Sequence, residues 1–286
     1  MTDAQAIFEG IQRHNMDVAR AAAGSKERAA EVAKELRGVQ KAQQREFGRR
    51  MQENRRTANQ NAEVQQMTEL QRQNARAEKL LDQNLETFGV DVSKYQKNID
   101  WNQIKKAGVS FVIVRIGYRG YGASGTLVLD PMFEEHFTNV KNAGLKVGVY
   151  FFSQATTEEE AKEEAFACAY VLNGRKLDYP IFFDTEASGA SNGSGRADGL
   201  GMEDRTKCAI AFCEEVKAQG YKPGVYASTL WYRKRVNLNS LKKYTIWNAH
   251  YGVASSPIDC ALWQGTCTAR LPGYKGDMDV NISYIG

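Results

Sequence analysis

Residues 179–188 read YPIFFDTEAS, a short apolar run that ends in two acids, Asp184 and Glu186, one residue apart. On a β-strand, residues i and i+2 point to the same side, so both carboxyls share one face where Ala187, Ser188 and Gly189 open a loop. Twice the strand rise separates them by roughly 6–7 Å. Like charges at that spacing repel unless the site employs them; two solvated acids at a strand end are the alternative. Hydrolysis of a glycosidic bond needs such a pair. One carboxyl keeps a proton for the leaving oxygen, and the other is charged to stabilise or capture the oxocarbenium-like centre. Asp91 and Asp279 would add negative charge that raises a neighbour's pKa.

Other chemistries lack their residues. There is no G-x-S-x-G elbow with a histidine partner for a serine nucleophile. The glycines of GYRGYGASG, residues 117–125, do not match a phosphate-binding G-x-G-x-x-G turn and read as a flexible loop. His14, His136 and His250 lie far apart with no ligand spacing, so neither a metal nor a cofactor is expected.

The elements that must position the acids follow from the alternation after Phe88. Apolar, β-branched runs alternate with amphipathic stretches, the signature of a parallel sheet with crossover helices. The runs are TFGVDVS, SFVIVRIGY, LKVGVYFFS, YPIFFDTEA, KPGVYAS, YTIWNAH, CALWQGT and MDVNISY. Helical patterns cover Trp101–Ala107, Pro131–Ala143, Thr157–Leu172 and Met202–Gln219. Pro131 suits a first helical turn after Asp130, and Gly144 and Gly220 suit helix stops. The last strands have short, helix-poor connections. The expected fold is α/β: a distorted (β/α) TIM-like barrel with helices mainly in the first five units.

In such barrels the chemistry gathers where the strands end. The run ends supply Asp91, Tyr118, Tyr150 with Phe152, Asp184 with Glu186, Tyr226, Trp247, Gln264 and Asp279. Aromatic faces beside carboxylates and amides suit a polyhydroxylated ring.

Residues 1–87 differ in texture. They carry no Pro or Trp and are dense in Ala, Gln, Glu, Arg and Lys. Apolar positions recur at helical spacing in two patches, Val32, Leu36 and Val39, then Met67, Leu70, Ala77 and Leu81. That stripe is too thin for a core of its own. The expectation is an all-α helical or coiled-coil arm for assembly or tethering at 1–87 and a barrel at 88–286; a solvated spacer is the alternative.

The balance of 38 Lys+Arg against 34 Asp+Glu gives +4, which is no nucleic-acid signature. No apolar run is long enough to span a membrane, and the first residues lack the pattern of a secretory signal. Of five cysteines, Cys168, Cys208 and Cys213 fall in helical patterns as buried apolar residues, while Cys260 and Cys267 could close a hairpin-like loop.

Seven short motifs occur in order at successive strands: GVDVSKYQ, FVIVRIGYR, VGVYFFS, FFDTEA, WNAHY, ALWQ and DMDVN. Together they resemble the glycoside hydrolase family 25 lysozymes, over roughly residues 88–286. The resemblance implies a muramidase acting on the β-1,4 bond between N-acetylmuramic acid and N-acetylglucosamine of bacterial peptidoglycan. It implies Glu186 as general acid, Asp184 as the partner that stabilises positive charge or orients the 2-acetamido group, and Asp91 and Asp279 as flanking acids. Tyr118, Tyr150, Phe152, Tyr226, Trp247, Tyr251 and Gln264 would line the sugar groove. His250 departs from the family pattern and reads as a rim residue. A family 18 chitinase would need acids where Tyr179 and Phe182 stand. A cell-wall-binding module without activity is a second alternative. The setting suggested is a phage-type lysin, made in the bacterial cytoplasm and released through a pore, or a virion or tail-like particle component docked through residues 1–87.

Overall fold

A computed structural model describes residues 87–190 and 193–285. The helical arm expected at 1–87 therefore lies outside the described residues, apart from Thr87. The chain runs β1 (Thr87–Val92), α1 (Trp101–Lys106), β2 (Val109–Arg119), β3 (Leu127–Leu129), α2 (Phe133–Asn142) and β4 (Lys146–Phe152). It continues α3 (Glu158–Leu172), β5 (Ile181–Asp184), α4 (Met202–Ala218), β6 (Pro223–Ser228), α5 (Thr229–Lys234) and α6 (Leu238–Leu241). It ends β7 (Thr245–Ala249), β8 (Leu262–Ala269) and β9 (Met278–Ser283).

The sheet order is β1-β9-β8-β7-β6-β5-β4-β2-β3, and β1 also pairs with β2, which closes eight strands into a barrel and leaves β3 as a hairpin arm on β2. Around the barrel, neighbouring strands are parallel from β1 through β2, β4, β5, β6 and β7 to β8, whereas the arm β3 is antiparallel to β2 and β9 is antiparallel to both its neighbours. The barrel is thus mixed rather than wholly parallel. This difference matters for Asp279. It stands at the N-terminal end of β9, and it reaches the mouth formed by the other strands' C-terminal ends only because β9 is reversed.

Strand alternation sorts side chains into two cores. Outward residues such as Val112, Val114, Ile181 and Phe183 pack beneath the helices. Inward residues Phe111, Ile113, Tyr179, Phe182, Trp247 and Leu262 fill the barrel. Glycines make room for the large rings. A Cβ on Gly89 would fall 2.3 Å from the Phe111 ring, and one on Gly224 would fall 2.4 Å from Phe182.

Helix ends follow their residues. Asp100 Oδ1 accepts from the backbone N–H of Asn102 and Gln103 at the start of α1, and Thr157 Oγ1 accepts from Glu160 N at the start of α3. Gly144 (φ +67°) and Gly220 (φ +83°) stop α2 and α4. There Leu145 N donates to Val140 O and Tyr221 N to Val216 O, as a left-handed glycine cap requires.

Some expectations need correction. The helix expected from Pro131 begins at Phe133, because Pro131 and Met132 form a turn closed by Phe133 N on Asp130 O, with Met132 N on Asp130 Oδ1. The glycine-rich stretch is partly ordered strand: Gly117–Arg119 belong to β2, and residues 120–126 are the hairpin connection to β3. No disulfide joins Cys260, which is buried, to Cys267, which is exposed. No described helix is long and apolar enough to cross a membrane.

Candidate active site

A cavity of about 260 Å³ opens at the barrel mouth. Four carboxyl groups line it: Asp91 from the end of β1, Asp184 from the end of β5, Glu186 two residues on, and Asp279 from the start of β9. Tyr150, Tyr226, Trp247, Tyr251 and Gln264 complete most of its wall. Tyr118 and Phe152 do not line it. A bulge between Arg115 and Gly117 shifts the register of β2 against β4, so that Tyr118 pairs with Phe152, two residues beyond Tyr150 on the same face of β4. His250 is also outside the lining; its carbonyl accepts from Trp263 Nε1 at 2.9 Å.

Hydrogen bonds order the cavity floor. Gln264 Nε2 (2.7 Å) and Asn281 Nδ2 (2.8 Å) both donate to Asp91 Oδ2. Each amide is oriented in turn. Tyr226 and Tyr251 hydroxyls donate to Gln264 Oε1, and Trp247 Nε1 donates to Asn281 Oδ1. Both amide N–H groups are therefore turned toward one oxygen of Asp91, which suits a charged carboxylate. Asp184 is different: its Oδ1 is buried with no hydrogen-bond partner.

These surroundings spread the acids' proton affinities. Burial raises Asp91 to about 6, held down by its two amide donors. Burial and the Asp91 charge raise Glu186 to about 7, with Arg115 opposing. Burial, then Asp91 and Glu186, raise Asp279 to about 9. Burial, then Glu186 and Asp91, push Asp184 well above the usual carboxylate range against the pull of Arg115. The four titrate as one linked group, and its first charge rests best on Asp91.

Several lining residues escaped sequence reasoning: Ser93, Tyr95 and Gln96 in the loop after β1, and Arg115 on β2. Asn281, fully buried behind them, was missed too. A signal for Arg115 existed. It is the lone charge in FVIVRIGY, two and four positions from the inward Ile113 and Phe111. A second depression, of about 590 Å³, lies at the other end of the barrel among the loops before β5 and β6. It is lined by Arg175, Lys176, Tyr179 and Lys222 among others and holds none of the four acids.

Residues 90–274 match the model of the glycosyl hydrolases family 25, and the chain belongs to that family. It is 27% identical over 205 residues to Lysozyme M1 of Streptomyces globisporus, covering 68% of this chain and 66% of that one. It is 24% identical over 195 residues to the autolytic lysozyme of Clostridium acetobutylicum, covering 68% and 54%. The chain thus spans about half to two thirds of the length of these curated relatives. Among solved structures, the bacterial lysozyme of Streptomyces coelicolor superposes with a TM-score of 0.57 at 25% identity, over 68% of this chain and 90% of that one.

Proposed function

We propose that the chain is a peptidoglycan hydrolase that cleaves the β-1,4 bond between N-acetylmuramic acid and N-acetylglucosamine. The observation that carries this reading is the cluster of four acids with spread proton affinities in one aromatic-walled cavity. Family membership and the lysozyme relatives support it.

Glu186 is the proposed general acid. Near neutral pH it retains a proton for part of the population, which a leaving O4 needs as the C1–O4 bond breaks. Asp91, already charged and held by two amides, faces the positive charge that develops at the anomeric carbon. Of the two roles the sequence leaves open to Asp184, stabilising that charge or orienting the 2-acetamido substituent, its buried, unpartnered oxygen supports the second, as a proton-bearing group. Asp279 lies opposite Asp91 in the strand register and keeps its own proton, which leaves Asp91 as the anion. Water completes the reaction by adding hydroxide to C1 and leaving its proton on a carboxylate. Tyr150, Tyr226, Trp247 and Tyr251 are proposed to bind the sugar rings.

Residues 88–286 are proposed as the hydrolytic domain and 1–87 as a helical arm for assembly or tethering. Its composition, together with a thin apolar stripe, supports docking to a phage or tail-like particle. The test of function is lysis of purified Gram-positive cell walls by the wild type and by Glu186→Gln, with new reducing ends identified by mass spectrometry. Muramic acid ends from the wild type, reduced about 10²–10⁴-fold in the variant, are the expected result. No cleavage by the wild type would leave a wall-binding module in its place.

A further inference from the structure

Arg115 is the only cation among the described residues that line the cavity, and it faces four carboxyl groups there. It is 8% exposed and sits on the inward face of β2, above Ile113 and Phe111. Its Nε donates to Asp130 Oδ2 at 2.7 Å, and the same oxygen accepts from Lys94 N at 3.0 Å. Asp130 is 1% exposed, and its Oδ1 accepts from Met132 N. The hairpin arm β3 delivers it: Asp130 follows Leu129 directly, and its N–H donates to Ile116 O. Tyr95 and Tyr118 lie with ring centroids 5.3 and 5.4 Å from the guanidinium carbon.

A guanidinium kept only to satisfy Asp130 would present its fork to that carboxylate. Here one nitrogen reaches Asp130, and Nη2 is buried with no hydrogen-bond partner. Across the cavity, Asp184 Oδ1 is a buried acceptor in the same state. Positive charge is therefore left over on the cavity side. Removing that cation from four acids in about 260 Å³ would leave any ionised member uncompensated.

We propose that Arg115 is a positioning residue of the hydrolytic site, a buried counter-charge anchored by Asp130 that acts through Glu186 and Asp184 to set how many of the four acids are charged. This rests on the hydrolase reading and deepens it. The charged or titratable groups facing Arg115 are Asp130 after β3, Lys94 and Tyr95 after β1, Tyr118 on β2 and Tyr150 on β4. Those facing the acids from the other strands are Tyr226 on β6, Tyr251 after β7, Cys267 on β8 and Asp277 just before β9. Burial pushes the Tyr150, Tyr226 and Tyr251 hydroxyls up, and the balance of charge lies between Arg115, Asp130, Lys94 and the four carboxyls.

The sign follows. Losing the cation disfavours carboxylates, so protons are held to higher pH. In Arg115→Gln both limbs of the pH–rate profile should move upward by about one pH unit or more. Arg115→Lys keeps the charge and should restore the limbs. Asp130→Asn strengthens the field of Arg115 at the acids and should move the limbs downward. The same variants are titrated without substrate by ¹³C-carboxyl NMR, which reads the acids directly. Opposite shifts for Arg115→Gln and Asp130→Asn support the proposal; lower thermal stability with unchanged carboxyl titrations overturns it. If Arg115→Gln does not fold, Asp130→Asn decides by its downward shift or its absence. A wild type that titrates as described but releases no sugar ends would refute the hydrolase reading and leave the electrostatic role of Arg115 standing.

Discussion

Asp91 and Glu186 differ less in kind than in what touches them. Asp91 is buried and Glu186 half-buried, yet the sharper difference is that one meets two amide N–H groups and the other neighbouring charge. Asn281→Ala should therefore raise the Asp91 pKa from about 6, because an amide bound to its charged form is lost. The acidic limb of kcat/KM on purified walls should move to higher pH while the alkaline limb, set by Glu186, moves less. At this scale sequence was informative for residues that end a strand run, since period two decides which of them face inward. It was uninformative for Asn281 and Asp130, whose importance lies in a partner 190 and 15 positions away. Tyr118 shares a face with Arg115 only because of the bulge in β2, which counting by twos along the sequence does not show.

Elements hold these residues through ion pairs and close packing. Arg119 at the end of β2 binds Glu164 of α3 (2.8 Å), Gly125 O and Glu160 O, so it clamps the β2–β3 connection to α3. Burial raises the Glu164 carboxyl to about 7 despite that arginine. Arg119→Met should destabilise by about 3–5 kcal/mol in urea unfolding, since it leaves a buried acid without its cation. Arg119→Met with Glu164→Leu should recover most of the loss. Gly224→Ala should cost about 1–3 kcal/mol through overpacking against Phe182. Long apolar runs disclosed eight strands because each is buried on both faces. The three residues of β3 gave no comparable period, and no sequence pattern states the direction in which β9 enters the sheet. The short α5 and α6 were likewise too brief to register as amphipathic helices.

Across the whole molecule the raised acids bind protons more tightly when folded than when unfolded. Asp91, Glu186 and Asp279 reach about 6, 7 and 9. Their stabilising contribution is complete below the ordinary carboxylate pKa near 4 and is lost as pH rises through these values. Urea midpoints should fall between pH 5 and pH 9. Asp279→Asn should flatten the upper part of that fall and raise stability at pH 9, with little effect at pH 4. Closure of the barrel has a further consequence, for time rather than energy. The two amides that hold Asp91 lie 173 and 190 residues along the chain from it. Such distant pairings form late, because the entropy of closing the longest loop precedes any contact that rewards it. A refolding chain should regain helical signal first and the proposed wall-lysing activity only in its slowest phase, when β9 slots between β1 and β8.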